Sequence, residues 1–148
     1  MQREIKFRGK RVDNGEWVYG FLFELSYDGS SALCIGIEPL CANDYSEIYK
    51  SCYAEVIPET IGQYTGIRDM HGKPIYEGDA IPYHFNHNTV GVVKYGEYHN
   101  PFDSDNHGGH VGFYLDWFEP DSLLRADLGY WIKVSEVIGN IHDKEVSE

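Results

Sequence analysis

Two groups of residues in this chain have side chains able to do chemistry. The first lies in IGQYTGIRDMHGKPIYEGD, residues 61 to 79, where Asp69, His71, Glu77 and Asp79 bring carboxylates and an imidazole close together in sequence. General acid-base catalysis and metal-assisted hydrolysis both need such groups. The second is a histidine series, His84-x2-His87, His99 and His107-x2-His110, with Asp103 and Asp105 nearby. Imidazoles and carboxylates together make reasonable ligands for zinc or manganese.

Each group also has a plainer reading. In the first, Asp69 can cap a turn through its side chain, Gly72 can take positive φ, and Pro74 leads into a return strand. Gly78 supplies a second turn and Asp79 begins the next strand, so every unusual residue has a backbone role. The block is therefore read as structural, two turns around a short KPIY strand, with catalysis as the lesser alternative. In the second group, His84 and His87 straddle a strand end and a hairpin tip, and the rest lie in a Gly-, Asn- and Asp-rich loop, residues 99 to 110. No spacing forces four ligands to converge. A solvated loop is the default, and His84, His87, His107, His110, Asp103 and Asp105 stand as weak metal candidates.

Nucleophilic catalysis has less support. G-x-S-x-G is absent, and Cys34, Cys41 and Cys52 sit beside no basic cluster that would activate a thiol. Neither Walker nor Rossmann glycine spacing occurs. No catalytic residue and no cofactor is assigned.

The elements that must hold these groups read as strands. Twelve Tyr, seven Phe and three Trp favour pleated surfaces, and sixteen Gly with six Pro supply frequent turns. EIKFRG and EWVYGFLFEL, joined through the Asn-Gly of residues 13 to 16, predict an opening hairpin. In its second strand Trp17, Tyr19, Phe21, Phe23 and Leu25 share a face, and alternation predicts that most such aromatics, with Trp117 and Trp131, face a core. SALCIGI, CYAEVIP, DAIPYHF, TVGVVKYGEY and GHVGFYLDWF follow as strands, the last with Val111, Phe113, Leu115 and Trp117 inward. Pro82 marks an edge strand or a bulge, and CANDYSEIYKS has room for one helical turn. EPDSLLRADLG is the one convincing helix, opened by Pro120 and ended by Gly129. YWIKVSEVIGNIHD closes with a strand or two, and KEVSE frays.

The expected class is mainly β, small barrel or sandwich sheets with one or two short helices. A length of 148 residues suits a single domain, with an N-terminal sheet over 1–60 and a barrel-like part over 61–142.

The formal charge of −12 argues against direct binding of nucleic acid through its phosphates. Charge is uneven. Residues 1 to 11 carry Arg3, Lys6, Arg8, Lys10 and Arg11 against Glu4, whereas Val12 to Tyr49 hold seven acids and no Lys or Arg. A soluble acidic surface explains this; the sharper alternative is a basic arm of one subunit on an acidic face of another. An odd cysteine count without CxxC fits a reducing cytoplasm, and no apolar run suits a signal peptide or membrane span.

REIKFRGK, then GEWVYG, VIPETIGQYTGIRDMHGKPIYEGD and EVIGNIHD together resemble the YopX proteins of temperate bacteriophages and prophages. Gly62, Gln63, Tyr64, Thr65, Gly66, Asp69, Gly72, Ile75, Tyr76, Glu77, Gly78 and Asp79 match the central block in order. Gly9 and Lys10 depart from an apolar-aromatic pair usual after FR. The resemblance implies a mainly β phage-derived protein in the cytoplasm of a bacterial host, assembled as a homo-oligomer. It supplies no catalytic residues.

The expected function is a non-enzymatic, oligomeric protein-binding module that takes a host or phage protein. Tyr95, Tyr98, Tyr114 and Phe118 are its interface candidates. One rival is a metal-dependent hydrolase using the His/Asp loop 84–110. Another is an acidic inhibitor or DNA mimic acting on a host DNA-binding protein.

Overall fold

A computed structural model describes residues 4–37, 52–84, 86–104, 108–118, 124–131, 134 and 136–143, without the side chains of Tyr27 and His87. The whole CANDYSEIYKS stretch, Cys41 included, and the KEVSE terminus beyond Asp143 lie outside those residues. The chain divides into two compact units, 1–64 and 65–148.

The fold is mainly β, with two antiparallel sheets. Strands β1 (Phe7–Lys10), β2 (Trp17–Tyr27), β3 (Ser30–Gly36), β4 (Tyr53–Glu55), β5 (Gly62–Arg68) and β6 (Pro74–Tyr76) form a sheet of order β4-β3-β2-β1-β5-β6. Strands β7 (Asp79–Tyr83), β8 (Asn86–Tyr98), β9 (His110–Asp116) and β10 (Gly139–Asn140) form a second sheet of order β10-β7-β8-β9. A 3-10 turn over Pro58–Thr60 and one short helix, α1 (Leu128–Trp131), complete the described elements. No helix among the described residues is long and apolar enough to cross a membrane.

In the N-terminal unit the opening hairpin forms where Asn-Gly places it. Gly15 sits at φ 73°, Arg11 donates its N–H to the Glu16 carbonyl at 2.9 Å, and the Asn14 side chain accepts the Glu16 N–H at 2.9 Å. A second tight hairpin joins β2 to β3 through Asp28 and Gly29, at φ 53° and 83°. Two successive positive φ values match the right-handed twist of the flanking strands.

The β2 face runs opposite to the expectation. Ile35, Ala54 and Val56 are buried on the face carrying Val18, Gly20 and Leu22, and a side chain at Gly9 would press against Val56. The aromatic face looks outward: Tyr19, Phe21 and Leu25 are 44%, 57% and 42% exposed. The Phe21 ring lies over Gly36, Phe23 meets Tyr53 edge-on at 5.7 Å, and the Arg8 guanidinium stacks on Trp17 at 4.5 Å. Small aliphatic side chains allow close packing beneath, so flat rings are left to cover the strands from outside.

The second unit has a larger core. Ile75, Ile81, Val93, Leu115, Trp117, Leu128, Trp131 and Val137 pack together, with Ile67, Tyr83, Phe113 and Leu124 against them. Trp117 and Trp131 face the core as expected, and both indole N–H groups donate to the Arg125 carbonyl, at 3.2 and 2.7 Å. The alternation along β9 keeps Leu115 and Trp117 inside, but Val111 runs beyond the core and is 71% exposed.

Three expectations need correction here. The helix over 119–129 is displaced: residues 119–123 lie outside the described residues, 124–127 are not helical, and Gly129 sits inside α1. Tertiary bonds override the local signal, because the Ala126 carbonyl accepts the Leu115 N–H at 2.8 Å and Asp127 bridges Tyr114, holding this segment extended beside β9. Tyr130 and Trp131 are accordingly helical, not part of a closing strand. Of the two readings of Pro82, the bulge holds: the register shifts between Pro82 and Tyr83, while β7 is an inner strand. The turn before β8 lies at His84, at φ 52°, because Asn86 to Asn88 already belong to β8.

Candidate functional site

The central block becomes a scaffold of backbone hydrogen bonds. Asp69 follows β5 and is 6% exposed. Its Oδ1 accepts the N–H groups of His71 and Lys73, both at 2.9 Å, and Oδ2 accepts the Val137 N–H at 3.0 Å from across the unit. Burial, the largest influence, pushes the Asp69 carboxyl up, but the bonds from Val137, Lys73 and His71 outweigh it and hold the group below its ordinary value. Gly72, at φ 83°, closes this turn and donates to the Asp69 carbonyl at 3.0 Å.

The neighbouring signature residues act similarly. Thr65 donates its hydroxyl to the Ile75 carbonyl at 2.8 Å and accepts the Ile67 N–H at 3.2 Å, while Gly66 takes φ 85°. Asp79, 1% exposed, accepts the Tyr76 N–H at 2.8 Å across the turn through Glu77 and Gly78. Gly78, at φ 91°, donates to the Val93 carbonyl at 2.8 Å. Gly62 pairs with Arg8, and the Tyr64 N–H reaches the Lys6 carbonyl at 2.7 Å. Tyr76 is buried and Glu77 half-buried. His71 is exposed, with Nε2 at 3.6 Å from Glu136.

A second polar assembly gathers beside the end of β8. Tyr98 donates its hydroxyl to Asp127 Oδ1 at 2.5 Å, while Asn100 Nδ2 and Arg125 Nε donate to Oδ2 at 2.9 and 2.6 Å. The Asn100 side-chain oxygen accepts the Ala126 N–H at 2.7 Å, and its own N–H donates to Asp103 Oδ2 at 2.9 Å. That same Asp103 oxygen lies 3.1 Å from His110 Nε2. Tyr98 stacks between His110 and Tyr114, with centroids 5.2 Å away on each side.

Electrostatics follow from this geometry. Burial, then the hydrogen bond and charge of Asp127, push the Tyr98 phenol up to about 12. For Asp127, burial pushes upward, but the bonds from Tyr98, Arg125 and Asn100 outweigh it and hold the carboxyl below its ordinary value. The Arg125 guanidinium also lies over the rings of Phe102 and Tyr130, 4.9 and 5.0 Å from their centroids. Those rings are 61% and 60% exposed. An arginine held by a carboxylate at Nε and by contacts with two rings is a preorganised, surface-facing group.

Of the metal candidates, the fold brings Asp103 and His110 together. His84 is separate, its ring against Tyr83 and Trp131 at 4.5 and 5.7 Å. The His87 side chain, Asp105 and His107 lie outside the described residues. His99 is exposed, with Nε2 at 3.7 Å from Glu97. Among the described residues no three His, Cys, Asp or Glu side chains are grouped to hold a metal ion. Burial, with Glu55 nearby, pushes the Cys34 thiol up and away from reactivity.

Among the interface candidates, Tyr95 and Phe118 are exposed, but Tyr98 and Tyr114 are half-buried in the polar assembly. The sequence reading missed Asn100, Arg125 and Asp127. Asp127 lies 29 positions from Tyr98 and 27 from Asn100, and no local motif links them. A polar residue between apolar Ala126 and Leu128 is the nearest signal, and it is weak.

No curated protein sequence matches the chain. The family model described as YopX protein matches residues 6–145, which include both the Asp69 scaffold and the Tyr98–Asp127 assembly. The chain belongs to the YopX family.

Proposed function

We propose that this YopX family protein is a non-enzymatic, self-associating module that binds a host or phage protein in the bacterial cytoplasm. The observation carrying this reading is the Phe102, Arg125 and Tyr130 platform, two exposed rings against an arginine fixed to Asp127. Tyr and Arg dominate the energetics of protein interfaces, particularly when they are rigid before binding. The polar groups beneath already bond to one another and to backbone, which suits a support for the platform better than a reaction centre. The outward aromatic face of β2 adds a second apolar surface, of the kind that marks contact with protein.

Capture experiments in the bacterial host test this reading. The intact chain is compared with Arg125→Ala and Tyr130→Ala, each first shown by melting to be folded. The proposal expects a saturable protein partner whose recovery falls at least tenfold with either variant. Equal recovery by all three proteins contradicts the assignment of the platform.

A further inference from the structure

Each member of the Phe102, Arg125 and Tyr130 platform is fixed by bonds of its own. Phe102 stands at the corner of a tight turn. The Asp103 N–H donates to the Asn100 carbonyl at 3.0 Å, and the Asp103 carboxylate accepts the Asn100 N–H at 2.9 Å. Pro101 takes the position that such a turn favours for proline. Tyr130 donates its N–H to the Asp127 carbonyl at 3.2 Å, and its ring meets Trp131 edge-on at 5.0 Å. The Arg125 carbonyl is held by the indoles of Trp117 and Trp131, and its Nε by Asp127.

One end of the guanidinium is left unspent. Its Nε–H goes to Asp127, and among the described residues nothing accepts a hydrogen bond from either Nη. The side chain is 41% exposed. Together the Nη groups form a flat fork whose donors match the oxygens of a carboxylate.

We propose that this fork takes a single Asp or Glu carboxylate of the partner, with an apolar side chain of the same segment against Phe102 and Tyr130. The inference rests on the protein-binding reading above and supplies the chemistry of the group bound. Charge selects the occupant. Arg125 is already paired with Asp127, its described contacts include no second cation, and the chain carries −12. A phosphate dianion or a run of acids would therefore meet repulsion that one guanidinium does not offset. A lone carboxylate needs only the directed bonds of the fork. A cationic group is disfavoured for the opposite reason: Asp127 Oδ1 already accepts from Tyr98, and Oδ2 from Asn100 and Arg125. An apolar side chain laid on the rings would displace water around the pair and strengthen it beyond an ordinary surface ion pair.

Titration of the isotope-labelled full chain with the capped tripeptide Phe-Glu-Phe tests this, followed by NMR at the Arg125 side chain and the Tyr130 amide. The glutamate peptide should give a saturable shift at both. Phe-Gln-Phe, similar in shape but uncharged, should bind roughly threefold or more weakly. Arg125→Lys, first shown by melting to be folded, keeps the charge and loses the fork, so the glutamate peptide should lose its advantage. Equal binding of the glutamate and glutamine peptides by the parent chain overturns the carboxylate, as does no shift at Arg125 with either. Tighter binding of Phe-phosphoserine-Phe overturns it in favour of phosphate. If partner recovery still depends on Arg125 in any of those cases, the platform stands and only the carboxylate is removed. Recovery indifferent to Arg125 removes both. If Arg125→Lys does not fold, the peptide comparison on the parent chain decides.

Discussion

Replacing Asp69 with asparagine changes one atom of a buried carboxylate that accepts three backbone N–H groups. One amide oxygen can still serve His71 and Lys73, but the new NH2 faces the Val137 N–H, donor against donor. Losing one hydrogen bond to a charged acceptor costs about 1.5–3 kcal/mol. Asp69→Ala removes all three bonds and should cost about 4 kcal/mol, since bonds to a shared partner are less than additive. Tryptophan fluorescence in a Trp17→Phe background reports the second unit, where Trp117 and Trp131 are buried. The asparagine variant should melt roughly 3–12 °C lower, and the alanine variant lower still. The parent chain should also weaken in acid. Because the folded carboxyl lies below its ordinary value of 3.8, its contribution is complete above that value and disappears as pH falls through the lower folded value. Asp69→Asn should lack that acid-dependent component. Equal melting of all three proteins would refute the claim that this residue ties Val137 to the turn.

Further outcomes follow from the same geometry. Tyr98→Phe should cost about 1.5–3 kcal/mol in chemical denaturation, because it removes a hydrogen bond to the buried Asp127 carboxylate. In ultraviolet titration Tyr98 should ionise near 12, and its stabilising contribution, present below pH 10, should be lost as pH rises from 10 to 12. Gly72→Ala meets no atom within 4 Å but must adopt φ 83°, so it should cost about 1–2 kcal/mol by calorimetry through backbone strain alone. Zinc added to untagged protein should leave the melting temperature unchanged; a saturable rise at one metal per chain would favour a hydrolase using the histidine loop.

Local chemistry made much of the fold legible. The Asn-Gly hairpin, the Asp69 turn, Gly72 and the Pro74 strand depend on neighbouring backbone, and their residues announce it. Asp28-Gly29 carried an equally clear hairpin signal that the sequence reading did not use. The face of β2 was not legible from alternation, because both faces hold apolar residues and packing beside Gly9 and Val56 selects the smaller ones. Residues 124–127 have helical character locally, but their partners lie on β9. Distance in sequence also hid the candidate site, since Tyr98 and Asp127 meet only once β9 is paired with β8.

The mass of the untagged full chain in solution, measured by light scattering at micromolar concentration, tests the account most directly. Self-association predicts a weight-average mass above 17.0 kDa that rises with protein concentration towards an integral multiple of it. A single species of 17.0 kDa at every concentration and salt tested would contradict it.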